Sequence, residues 1–203
     1  KVQEGVILTS PLRLGISEHF AGEYAMNSRA VFGRVTVAIA TLLTLSACDR
    51  DLDLLEPAPF PNDADIFTDA LGPGLRFFEP FSGSKQTAYS VDTNESFRGS
   101  SSIRIEVPAP GDPEGGYVGG ALPANVPRDL SGFNALTFWA KSSIPFTLDV
   151  VGLGNDNTGT SKFTAQVDRG FEITPTWTKF VVPIPDPSKL TQEAGMIFFA
   201  EGS

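Results

Sequence analysis

Few side chains in this sequence could perform nucleophilic or metal chemistry. The chain has one histidine, His19, and one cysteine, Cys48, and after residue 48 it contains neither type. This excludes Ser-His-Asp and Cys-His catalysis, disulfides and histidine-ligated zinc from that part of the chain. The net charge of −9 would repel a polyanion, so we expect no nucleic acid partner.

Carboxylates are the remaining candidates, since a glycosidase needs only two of them. The candidate pairs are Asp112 with Glu114 and Asp149 with Asp156. All four residues lie in or near turn sequences, and no apolar segment implies a pocket around them. Solvated loop acids are the simpler interpretation, and we expect a protein that is not an enzyme.

Cys48 ends a segment with the layout of a secretory signal. Residues 26–34 contain two arginines, residues 35–45 are apolar, and two small residues precede the cysteine. The apolar run is too short to span a bilayer comfortably as a mature helix. A plain signal peptide, or a core helix with a chance cysteine, are the alternatives.

The tetrapeptide "LSAC" (45–48) resembles the lipobox of bacterial lipoproteins. The resemblance implies that Cys48 is acylated and becomes the new N-terminus, holding the protein at the membrane of the cell envelope, on its periplasmic or surface face. Asp49 resembles the inner-membrane retention signal of some Gram-negative lipoproteins. A lipid anchor also suits the acidic chain, which an anionic membrane surface would repel.

The rest of the chain divides by composition. We expect residues 1–25 to be an upstream segment, non-native or disordered, and residues 26–47 to be the signal peptide. Residues 48–65 comprise the lipidated cysteine and an acidic, proline-containing tether. Residues 66–203 are predicted to form the folded domain.

Short apolar runs separated by Gly, Pro, Asn and Asp indicate that this domain is all-β. Apolar and polar residues alternate in "IRIEV" (103–107) and "LTFWAK" (136–141), so each has one face toward a core. We therefore predict a β-sandwich. Its predicted strands are Leu75–Phe81, Ala88–Asp92, Ser102–Val107, Tyr117–Leu122, Ala135–Lys141, Phe146–Leu153, Lys162–Val167, Thr178–Ile184 and Met196–Ala200.

Three stretches, "YSVDTNESFRGSSSIRIEVPA", "RDLSGFNALTFWAKSS" and "TPTWTKFVVPIPD", resemble the galactose-binding-like jelly roll of many carbohydrate-binding modules. The resemblance covers residues 77–203 and implies a jelly-roll fold. In that family the chain normally closes with a strand of the form aromatic-x-Asp-Asp-Ile, whereas this one stops at "MIFFAEGS". We therefore expect the last strand to be missing, and further C-terminal domains are possible.

The resemblance also implies a structural calcium ion. By analogy with the family, its ligands would be Glu79 and the loop that contains Asn94 and Arg98. A second oxygen-rich stretch, "GNDNTG" (154–159), lacks the spacing of an EF-hand and is interpreted as a hairpin turn.

A polysaccharide or other glycan is the expected ligand, because aromatic rings can bind the apolar face of a sugar. Trp139 should point away from the core if Phe138 points into it, and Tyr117 lies among small glycines. Asn155 and Asp156 could add hydrogen bonds. The alternative is a structural or adhesive β-sandwich module with no sugar ligand, in which the tryptophans only pack.

Overall fold

The strands of this protein build two antiparallel sheets. The computed structural model describes residues 6–9 and 56–203, of which residues 6–9 and 60–203 belong to one compact unit. Cys48 and the predicted signal peptide lie outside the described residues. Among those residues, no helix is long and apolar enough to cross a membrane. The strands are β1 (Val6–Thr9), β2 (Glu79–Pro80), β3 (Tyr89–Asp92), β4 (Ser102–Ile105), β5 (Tyr117–Arg128), β6 (Ala135–Lys141), β7 (Phe146–Leu153), β8 (Ala165–Ile173), β9 (Thr178–Pro183) and β10 (Glu193–Gly202).

The first sheet has the strand order β3-β4-β1-β6-β9, and the second has β2-β5-β10-β7-β8. Neighbouring strands pair antiparallel throughout both sheets. Side chains from the two sheets meet in one core, where Phe78 stacks on Tyr89 at 4.7 Å between ring centroids. The expectation of an all-β, sandwich-like architecture is confirmed.

The alternation read from the sequence decides which face of β6 is buried. Leu136, Phe138 and Ala140 are almost completely buried, while Trp139 and Lys141 are half-buried on the opposite face. This is the period-2 pattern of a strand with one face on a core. The predicted bounds of β6 and of β7 match the structure.

Other strand ends differ from the prediction. The chain at Asp168–Gly170 resembles a turn, yet β8 continues through it to Ile173. A register shift between Leu148 and Val150 of β7 places one extra residue on β8, and Arg169 there has a φ of +47°. This β-bulge lets the strand bend and stay paired. Other differences are the extension of β5 to Arg128, the earlier start of β10 at Glu193, and the short β2.

β1 belongs to residues 1–25, which were expected from the sequence to be an upstream segment, non-native or disordered, and it is a strand of the first sheet. It lies between β4 and β6, with Thr9 opposite Trp139 and Ile7 opposite Lys141. The same backbone pairs Ile7 with Arg104 on β4. The centre of the first sheet therefore includes a segment distant in sequence from its neighbours.

A buried arginine attaches the segment before β2 to the domain. Arg128, at the end of β5, is only 3% exposed. Its guanidinium donates to the carbonyls of Asp63 at 2.6 Å, of Asp65 at 3.5 Å, and of Pro73. Burial lowers the pKa of Arg128, although the Asp63 and Asp65 carboxylates counter that effect.

Candidate functional site

The outer face of the first sheet carries a group of aromatic and charged side chains. Trp139 on β6 lies directly opposite Lys179 on β9. Because Phe138 and Phe180 are buried in the core, Trp139 and Lys179 project from the opposite face of their strands. Lys141 lies two residues further along β6, and its Nζ is 5.7 Å from the ring centroid of Trp177.

The loop between β3 and β4 folds over this face. Ser102 Oγ donates to the Glu95 carbonyl at 2.7 Å, and Lys141 Nζ contacts the two carboxylate oxygens of Glu95 at 2.9 and 2.8 Å. These contacts hold residues 95–98 above β6. The loop thus adds side chains to a surface that the strands alone would form.

The far end of the same loop is held by Asp69. Its carboxylate accepts from the backbone N–H groups of Ser100 at 2.6 Å and Ser101 at 3.0 Å. Gly99 has a φ of +76°, and a Cβ there would lie 2.2 Å from the Asp69 carboxylate oxygens. Glycine is therefore required at this position for both conformation and space.

Three aromatic rings meet on this surface, and we call them the aromatic cluster: Phe97, Trp139 and Trp177. Phe97 stacks on Trp139 with centroids 3.7 Å apart and planes 15° apart. Trp177 lies 6.2 Å from Phe97 at 58°, so its plane is inclined to the stacked pair. All three residues are half-buried, and the Arg98 guanidinium lies 5.3 Å from the Phe97 centroid.

Sequence reasoning identified Trp139 as a ligand residue but neither Phe97 nor Trp177. Phe97 lies in the loop to which the resemblance assigned calcium. The available signal was an aromatic residue in the otherwise polar stretch "NESFRGS". Phe97 lies close to Trp139 because of how the β3–β4 loop folds, and the spacing of residues along the sequence does not predict that fold.

Tyr117, the other predicted aromatic ligand residue, belongs to the second sheet. It begins β5, is half-buried, and its hydroxyl donates to the Ser82 carbonyl at 2.7 Å. The structure does not bring Tyr117 and Trp139 together, because they lie on different sheets.

The predicted hydrogen-bonding residues lie in the loop between β7 and β8. Asn155 Oδ1 accepts from the Asn157 N–H at 2.9 Å, while Asp156 Oδ1 accepts from the Thr158 hydroxyl at 2.6 Å and the Ser161 hydroxyl at 2.9 Å. These bonds shape their own loop. Asn157 Nδ2 also donates to the Pro80 carbonyl at 3.3 Å, which attaches the loop to β2. Asn155 and Asp156 therefore lie at the second sheet, to which β2 belongs.

The residues proposed for calcium are also divided between the sheets. Glu79 on β2 pairs with Arg76 at 2.5 Å, whereas Asn94 and Arg98 lie in the β3–β4 loop of the first sheet. The Asn94 backbone N–H donates to the Asp92 carboxylate at 2.7 Å. Within the described ranges, no group of three or more Asp, Glu, His or Cys side chains is arranged to hold a metal ion. Calcium binding stays a prediction.

The two carboxylate pairs considered for catalysis have different surroundings. Asp112 and Glu114 share one cation, with Lys85 Nζ 3.0 Å from Asp112 and 3.8 Å from Glu114. The Glu114 backbone N–H and the Lys85 ammonium lower the pKa of Asp112. Asp149 instead pairs with Arg169 at 3.0 Å. The lowered pKa favours the ionised form of Asp112.

Asp149 contacts Glu201, an acidic residue that the sequence did not suggest as its partner. Glu201 accepts the Asp149 backbone N–H at 2.8 Å, and Asp149 in turn accepts the Gly202 N–H at 3.1 Å. Burial, aided by the charge of Asp149, raises the pKa of Glu201 to about 7. The Glu201 carboxyl at the end of β10 therefore titrates near neutral pH.

No family model matches the chain, and no match is found among curated proteins or solved structures. The case for a function therefore depends on the sequence motifs and on the geometry of the aromatic cluster.

Proposed function

We propose that this protein binds a glycan, without catalysing a reaction, and that the aromatic cluster is the binding surface. The observation that supports the proposal is the meeting of three half-buried rings on the outer face of a sheet, with charged side chains at their edge. A sugar ring has apolar C–H faces that pack on aromatic rings and hydroxyls that bond to polar neighbours.

The rings have different roles in this proposal. Phe97 covers one face of Trp139, so Trp139 supports the platform more than it contacts the ligand. Trp177 is inclined to that pair and would form a side wall. Glu95 and Lys141, joined in an ion pair, are placed to bond sugar hydroxyls at the rim.

The proposal has a cellular setting that follows from the two resemblances. Cys48 would carry the lipid, and residues 48–65 would link it to the domain, with the Arg128 contacts fixing the end of this link at Asp63 and Asp65. Cleavage before Cys48 would also remove β1 from between β4 and β6, so the processed domain would have to form its first sheet without that strand. The domain would present its platform to envelope or external polysaccharide. Labelling with a palmitate analogue in a bacterial host tests the anchor: the label should be lost in Cys48→Ser. An unlabelled, soluble wild type would contradict the lipobox interpretation.

Glycan-array binding of the purified protein, followed by titration with the best ligand, tests the site. Trp177→Ala, and Trp139→Ala if it folds, should weaken binding by about 1–3 kcal/mol, as removal of a central contact residue does. Tyr117→Ala is the matched control, since it removes an aromatic ring from the second sheet. Retention of the fold is checked by the thermal midpoint.

Two results would contradict this assignment. If Tyr117→Ala weakens binding and Trp177→Ala does not, the ligand occupies the second sheet instead. If no glycan binds a folded protein, the structural or adhesive module without a sugar ligand becomes the preferred function.

A further inference from the structure

The charges around the aromatic cluster differ in sign from those of the whole chain. Three cationic side chains surround the rings: Arg98 against Phe97, Lys141 against Trp177, and Lys179 opposite Trp139. Glu95 is the acidic side chain held in this group, and it is paired with Lys141. The group is therefore net positive, in a protein whose formal net charge is −9.

Two other charged groups of the domain are not net positive. Lys85 is shared by Glu106, Asp112 and Glu114, so that group is net negative. A polar hollow of about 190 Å³ beside the β3–β4 loop contains one charge of each sign, Asp92 and Arg104. The surface at the rings thus differs from both of these groups in carrying a net positive charge.

Local ion pairing does not account for two of these cations. Lys141 has a structural partner in Glu95. Arg98 and Lys179 are exposed, and neither forms an ion pair with a residue in the described ranges 56–203. Exposed like charges near one another do not stabilise a fold. They do attract an anion, and they leave its affinity sensitive to salt.

We propose that the ligand of the aromatic cluster is an acidic glycan, one whose sugar rings carry carboxylate or sulfate groups. This inference rests on the proposed glycan binding and adds the chemical class of the ligand. The rings would pack against the pyranose faces while Arg98 and Lys179 bind the anionic groups at either side. Arg98 can bind a carboxylate or sulfate through two parallel N–H bonds.

An anionic lipid surface would also be attracted by these cations, but the geometry favours the glycan. Aromatic side chains that insert into a membrane project from the protein. Here Phe97 lies flat on Trp139, and all three rings are half-buried. Such rings offer a fixed surface for a flat molecule.

Two matched pairs of polymers test the inference with the purified full chain. Polygalacturonate and its methyl ester share one backbone and differ in carboxylate charge, and dextran sulfate and dextran differ in sulfate. We expect polygalacturonate or dextran sulfate to bind about tenfold more tightly than its own neutral partner at low salt. The preference should decrease in about 0.3 M NaCl, where exposed charges are screened.

Substitutions locate the effect. Lys179→Gln and Arg98→Gln should each weaken binding of the charged polymer about threefold, within the range of exposed charge pairs, and weaken binding of its neutral partner less. Arg98→Lys should restore part of the loss. Lys162→Gln is the control, because it removes an equal charge from the exposed β7–β8 loop.

The outcomes separate this inference from the proposed function. Equal binding of charged and neutral polymers, lost in Trp177→Ala, would overturn the inference and retain glycan binding. Loss of affinity in Lys179→Gln and Lys162→Gln alike would indicate non-specific charge attraction and overturn it as well. Stronger binding to phosphatidylglycerol vesicles than to any polymer would replace the glycan with a membrane. Failure to bind any glycan, acidic or neutral, would overturn the proposed function itself.

Discussion

Arg128 is expected to be among the most important single side chains for the stability of this domain. It is 3% exposed and donates to backbone carbonyls that no strand pairing satisfies. Truncation to alanine would leave the Asp63 and Pro73 carbonyls without this donor. Asp63 is half-buried and Pro73 is exposed, so water can replace part of the loss and each carbonyl should cost less than the roughly 1–3 kcal/mol of a fully buried acceptor. Release of the buried guanidinium from its desolvated site offsets part of that cost.

We therefore expect Arg128→Ala to lower the free energy of unfolding by about 1–3 kcal/mol, which is an appreciable share of the roughly 5–15 kcal/mol typical of a domain. Urea unfolding followed by tryptophan fluorescence measures this value. Limited proteolysis should at the same time reveal cleavage in residues 61–75, the segment that Arg128 holds.

Two further variants make the measurement specific. Arg128→Lys keeps the charge but loses the planar set of donors, so an intermediate loss is expected. Arg76→Ala is the control, because its ion pair with Glu79 is half-exposed and should contribute about 0–1 kcal/mol. If Arg128→Ala unfolds within about 0.5 kcal/mol of wild type, the carbonyl contacts are not what stabilises this segment.

Three other predictions follow from local geometry. Gly99→Ala should destabilise the domain and loosen the β3–β4 loop, because both its φ of +76° and the Asp69 carboxylate oppose a side chain. Gly111→Ala is the control: it has a φ of +82° but nothing within 4 Å of an added Cβ, so it should lower stability less. Equal losses of stability in the two variants would show that the contact with Asp69 is not the cause. Glu201→Gln should raise the thermal midpoint at pH 8 but not at pH 4. The pKa of Glu201 is about 7 in the folded state and 4.5 ordinarily, so the folded state loses stability as pH rises between those two values. An equal change in the midpoint at both pH values would contradict this. If Glu79 contributes to a calcium site, calcium should raise the midpoint and a chelator should lower it, whereas identical curves and no bound calcium would remove the site.

The sequence was sufficient for most of the secondary structure, for a local reason. Strand alternation places successive side chains on opposite faces, so "LTFWAK" by itself assigns Phe138 inward and Trp139 outward. The same logic failed at Asp168–Gly170, where polar and glycine residues resemble a turn. There the pairing with β7 and the bulge at Arg169 overrode the local preference.

The candidate site required the tertiary structure. Trp139 and Tyr117 both looked suited to a sugar, but strand order alone decided that they belong to different sheets. Phe97 became part of the platform because Ser102, Lys141 and Asp69 hold its loop over β6, through contacts up to 46 residues apart in sequence. Alternation along one strand fixes the direction of a side chain, while the identity of its neighbours depends on long-range pairing, and it is those neighbours that make a binding surface.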